Sequence, residues 1–107
     1  MAINDDNVKI IRFLGGEEII AEVMGSSGLG WMKVKNPVAI MVMPDKADPK
    51  TPRVGFAPWV QFTSDETIDV NESLVLTTMK PVEEFLSQYK NMFSAIKIPT
   101  TKIIMPS

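Results

Sequence analysis

The sequence predicts a mainly β fold: a small, strongly bent, five-stranded antiparallel barrel closed by a C-terminal α-helix. Three observations predict it. Short runs rich in β-branched residues recur between turn signals from Val8 to Met79. The chain changes to helical periodicity only once, after Pro81. No strand–helix alternation is present, which argues against a parallel sheet. At 107 residues the chain is read as one domain, with the barrel over 8–79, the helix over 81–96 and a tail over 97–107.

The first hairpin is the clearest element. Val8–Phe13 is dominated by β-branched residues, and Gly15 and Gly16 can supply the positive φ angles of a tight turn. Beyond the turn, Ile19, Ala21 and Val23 share one face, while Glu18, Ile20 and Glu22 share the other, where like charges would normally sit in water. Gly25–Gly30 then forms a flexible connection rich in small residues. Trp31–Lys35 alternates, Asn36-Pro37 interrupts, and Val38–Met43 resumes as an apolar run. Pro37 cannot donate to a ladder, so a bend, bulge or edge position is expected there, as a small closed barrel requires.

Pro44–Pro52 is a hydrophilic loop with three prolines. A fourth strand is expected over Arg53–Phe62, with an irregularity at Pro58. Ile68-Asp69-Val70 extends the strand system, and Leu74–Met79 is the last strand. Pro81 suits a first helical turn, and Glu83 and Glu84 complement the positive end of the helix dipole. Val82, Phe85, Leu86, Tyr89, Phe93 and Ile96 form one apolar stripe that would plug an end of the sheet. The tail holds a further apolar run, Ile103-Ile104-Met105, able to pair as an edge strand or to dock on a neighbour.

Composition narrows the chemistry. The chain has no cysteine and no histidine, which excludes disulfides, thiolate nucleophiles and the commonest general base and metal ligand. Neither a Gly-rich phosphate cradle nor a nucleophile elbow occurs, and Asp45, Asp48, Asp65 and Glu66 fit no recognisable cation loop. The expectation is a protein that is not an enzyme and uses no metal or cofactor. A formal net charge of −2 supplies no global attraction to nucleic acid, though a local basic patch is compatible with it. No signal peptide is evident in Met1–Asn7, and no apolar run approaches the ~20 residues of a membrane span. A cytoplasmic, membrane-free location is expected. Eight methionines serve either as adaptable core filling or as a contact surface.

Phe13, Gly16, Ile19, Ala21 and Val23 together resemble the first sequence motif of the Sm-like family, the Sm, LSm and bacterial Hfq-type proteins with SH3-like barrels. Ala21 stands where that family usually has glycine. With Ala57-Pro58-Trp59 and Pro81-Val82-Glu83-Glu84-Phe85, the order of elements is similar to that of Sm-like proteins of unknown role from marine cyanophages and ocean metagenomes. The chain departs from the family elsewhere. Met24–Gly28 replaces the RNA-contacting aspartate and asparagine, Asn36 being the only downstream stand-in. Leu74–Thr78 lacks the basic residue and glycine of the second motif, and the helix is C-terminal rather than N-terminal.

The resemblance implies a homo-oligomeric ring of about five to seven subunits, formed by edge-to-edge pairing. The strands Arg53–Phe62 and Leu74–Met79 supply the candidate edges, with Val54, Phe56, Trp59, Val60, Phe62, Leu74 and Leu76 as interface candidates. It also implies single-stranded RNA as a ligand, in the host cytoplasm if the protein is of phage origin. Trp31 with Lys33 and Lys35 is the best local pairing of a stacking surface with cations, since the two lysines share a strand face. Asn36 and Arg53 complete the RNA-binding candidates. The alternatives are that Trp31 closes the barrel over solvated lysines, and that the oligomer is structural or binds protein without RNA.

Overall fold

The computed structural model describes residues 3–44, 46–48, 50, 52–60 and 62–93. Among these residues six strands occur in order: β1 (Val8–Phe13), β2 (Glu18–Ser26), β3 (Trp31–Met43), β4 (Arg53–Pro58), β5 (Thr67–Asn71) and β6 (Val75–Met79). One α-helix among the described residues, α1 (Glu83–Phe93), follows. Short 3-10 turns at Asp5–Asn7 and Glu72–Leu74 precede β1 and β6. Every ladder is antiparallel, in the spatial order β4-β3-β2-β1-β6, with β5 also paired to β3. The bent antiparallel architecture and the C-terminal helix are those expected from the sequence.

The count of six strands has a local cause. β4 and β5 occupy the same flank of β3, β4 facing Val38–Met43 and β5 facing Trp31–Lys35. The expected fourth strand is thus shorter, ending at Pro58 rather than Phe62, and the expected extension at Ile68-Asp69-Val70 forms a strand of its own from Thr67. Both ends of the intervening segment are fastened to one dipeptide. Trp59 N–H donates to Pro37 O at 3.2 Å, and Asn36 N–H donates to Glu66 O at 2.9 Å.

That dipeptide is the bend of the barrel. Asn36 has φ 51°, a left-handed conformation that asparagine tolerates better than most residues. Ile20 faces Val38 and Glu22 faces Lys35, so Ala21 opposes both Asn36 and Pro37 in a bulge that bends β3. Ala21 is fully buried there, which accounts for a small residue at that place in the motif.

Two cores lie on opposite faces of the same strands. The barrel interior holds Ile11, Phe13, Ile19, Ala21, Val34 and Val70. The outer face gathers Val8, Ile20, Val38 and Tyr89, with Phe85, Leu86 and Phe93 of α1 packed against them. Each fully buried isoleucine contributes roughly 1.5–3 kcal/mol. The helical stripe is confirmed at Phe85, Leu86, Tyr89 and Phe93, whereas Val82 is exposed. Helix α1 begins at Glu83, two residues after Pro81, with Leu86 N–H bonding Val82 O. Residues 94–96 of the expected helix and the tail lie outside the described residues.

Covering the outer face has a consequence for Glu22, which was expected in water. It is only 6% exposed, and its Oε2 accepts from Asn4 N–H at 3.3 Å. The same cover brings the Tyr89 hydroxyl within 3.1 and 3.0 Å of the Lys35 and Asn36 carbonyl oxygens. Burial pushes the Tyr89 phenol well above its ordinary range; the Glu22 charge pushes the same way, and a hydrogen bond from the Glu22 backbone opposes it.

Only one of the two turn glycines needs its freedom. Gly16 has φ 95° and donates to Phe13 O, while Gly15 does not lie at positive φ. Gly16→Ala therefore costs about 1 kcal/mol in denaturant unfolding, and Gly15→Ala, whose Cβ meets open space, does not destabilise. A phenol raised above its unfolded value stabilises fully below that value and loses its contribution as pH rises past it. Wild-type stability relative to Tyr89→Phe should accordingly fall above pH ~10, whereas at neutral pH the variant is about 1–3 kcal/mol less stable for want of the hydroxyl. Chemical denaturation of both proteins across pH 7–11 checks this.

Candidate functional site

The end of the barrel that begins β3 carries the expected aromatic and one of its cations. The β2–β3 connection is held by Ser27 N–H donating to Trp31 O at 2.8 Å. It is fastened to the turn before β6, where Glu72 N–H donates to Gly30 O and Ser26 Oγ donates to Glu72 Oε2, both at 2.8 Å. Gly28 and Gly30, at φ 80° and 94°, give the connection its shape.

Trp31 is 45% exposed and stands between two clefts. One, of about 480 Å³, is lined by Met24, Ser26, Leu29 and Lys33. The other, of about 470 Å³, is lined by Phe13, Leu14, Trp59 and Leu74. Asp69 borders both. The exposed part of the Trp31 ring offers a stacking surface.

Lys33 lies beside Trp31 but is not a free cation, because its Nζ is 3.1 Å from Oδ1 of Asp69, its cross-strand partner. Lys35 is half-buried further along β3, between Glu22 and Thr67. Asn36 sits at the bend, its backbone held by Glu66 and Tyr89, away from the β2–β3 connection. Arg53 faces Met43, at the opposite end of β3 from Trp31. The structure thus brings Trp31 and Lys33 together, sets Lys35 and Asn36 at increasing remove, and leaves Arg53 apart.

The interface candidates divide in the same way. Val54, Val60, Phe62, Leu74 and Leu76 are exposed. Phe56 instead meets Phe85 edge-on, with centroids 5.4 Å apart. Trp59 stacks on Phe13 at 5.4 Å, and its Nε1 donates to Glu17 Oε2 at 2.7 Å. These two side chains serve the subunit's own core and its first hairpin turn.

Sequence reasoning missed Asp69, Glu72 and Glu17 as partners. Each depends on register or on contact between distant turns, and only the Asn71-Glu72-Ser73 turn left a local signal. Among the described residues no cluster of three or more acidic or other metal-ligating side chains gathers. No described helix is long and apolar enough to cross a membrane.

A sequence profile for the Sm-like domain matches residues 10–90. No curated protein sequence matches the chain. The Lys33–Asp69 pair is exposed on both sides, which limits its worth to under about 1 kcal/mol. Asp69→Asn should therefore leave the unfolding midpoint nearly unchanged while freeing the Lys33 cation beside Trp31, which a salt series of denaturation curves would reveal.

Proposed function

The chain belongs to the Sm-like family, and from that premise we propose that it assembles into a ring of identical subunits that binds single-stranded RNA at the Trp31 end of the barrel. The observation that carries the RNA reading is the exposed Trp31 between two clefts, with Lys33 next to it. A base stacked on an aromatic contributes about 1–3 kcal/mol, and a lysine meeting phosphate adds a salt-sensitive increment. The ring reading draws on the free edges. Among the described residues β4 and β5 pair only with β3, and β6 only with β1, so one side of each subunit can continue the sheet of the next. In this reading the protein is a cytoplasmic adaptor or chaperone rather than an enzyme, and its likeness to cyanophage proteins adds the infected host cell as its setting.

A second reading, an oligomer that binds protein and no RNA, is favoured by the neutralisation of Lys33 by Asp69 and by the net charge of −2. Fluorescence anisotropy with short uridine-rich and adenine-rich RNAs separates the two. The RNA reading expects binding that weakens with salt, is lost in Lys33→Glu/Lys35→Glu, and tightens in Asp69→Asn with a salt slope steeper by about 0.7. Absence of wild-type binding even at low salt overturns it in favour of the second.

A further inference from the structure

We propose that the cleft between Trp31 and Trp59 binds the guanidinium group of an arginine carried by a basic peptide of a partner protein. The peptide site does not depend on RNA binding, which uses the Lys33 side of Trp31.

The cleft encloses about 470 Å³, within the roughly 300–1,000 Å³ of small-ligand sites. The chain has two tryptophans, and both line it. Trp31 is 45% exposed, and Trp59 is held in place by stacking on Phe13. Leu14 and Leu74, both exposed, add apolar surface. An indole presents negative charge density on its face, so such walls attract cations.

The charged groups of the cleft are of one sign. Glu17 and Asp69 line it, and among the described residues no lysine or arginine does. Glu17 takes part in no ion pair among the described residues. Its Oε2 accepts from Trp59 Nε1 at 2.7 Å, which fixes the carboxylate beside the ring and leaves Oε1 for a further donor. Asp69 meets Lys33 through Oδ1, which leaves Oδ2 able to accept as well. A phosphate is repelled in such a cleft, whereas a cation is attracted by rings and carboxylates together.

Chemistry then selects arginine and its source. A guanidinium is planar, so it can lie flat on an indole face while its edge donates to a carboxylate; an ammonium has no flat face and holds its water more strongly. The subunit's own two arginines do not supply it. Arg12 pairs with Glu18 at 3.2 Å, and Arg53 faces Met43 at the far end of β3. With a net charge of −2, a second copy approaching an acidic cleft meets like charge, and a basic partner does not.

Titration of the full chain with a Gly-Arg-Gly-Gly-Arg-Gly peptide tests this, read by tryptophan emission and by anisotropy of the fluorescein-labelled peptide. Binding should weaken at least about fivefold when lysine replaces arginine, and vanish when uncharged citrulline does. Glu17→Gln keeps an oxygen for Trp59 Nε1 but removes the charge; it should weaken binding at least about tenfold with far-UV circular dichroism unchanged. Asp69→Asn should weaken peptide binding too, the opposite of its expected effect on RNA. No wild-type binding at about 1 mM peptide, equal binding of the citrulline peptide, or a Glu17→Gln protein that binds like wild type overturns the proposal. Wild-type oligomers that dissociate both in Arg53→Gln and on adding the peptide overturn it too, in favour of Arg53 from a second copy.

Discussion

At Asn36-Pro37 separate parts of the chain converge on one short piece of backbone. Trp59 donates to the Pro37 carbonyl, Glu66 accepts from Asn36 N–H, and the Tyr89 hydroxyl lies against the Lys35 and Asn36 carbonyls. Unmet, buried groups of this kind cost about 1–3 kcal/mol each. The bend is therefore stable only when the segment between β4 and β5 and the helix are both in place. Through it, one thirteen-residue strand serves two neighbours on the same flank, and the sheet turns sharply enough to enclose a core.

The same bend explains why the helix is integral to the domain. With strands curved around the first core, their convex face still carries Val8, Ile20 and Val38, and α1 covers it. Ion pairing between Lys90 and Asp5 at 3.0 Å adds little at an exposed site, but it aligns the helix with the segment that enters β1. Glu22 is enclosed as a by-product of this cover, next to the tyrosine that completes the bend.

The two proposed roles fall on different parts of β3. Its start bears Trp31, set between clefts by a connection tied to the turn before β6. Its middle fastens Trp59 and Glu66, between β4 and β5 on the edge proposed for assembly. The proposed binding site and the sheet edge proposed for assembly thus share one strand.

Much of this architecture is legible in the chain itself. The hairpin at Gly16, the break at Pro37 and the helical stripe around Tyr89 are local signals, because backbone conformation and periodicity depend on neighbouring residues. The Trp31–Lys33 pairing was visible for the same reason: two residues apart on a strand share a face. What the sequence by itself determined is therefore the order of elements, the bend and the apolar faces. Tertiary structure alone decided that the fourth strand ends at Pro58 and shares one flank of β3 with β5, that Asp69 sits across from Lys33, that Glu17 holds Trp59 and that Glu22 is buried. Those outcomes depend on register and on which distant segment covers a face, and a shift of one residue would reverse them without altering any local pattern.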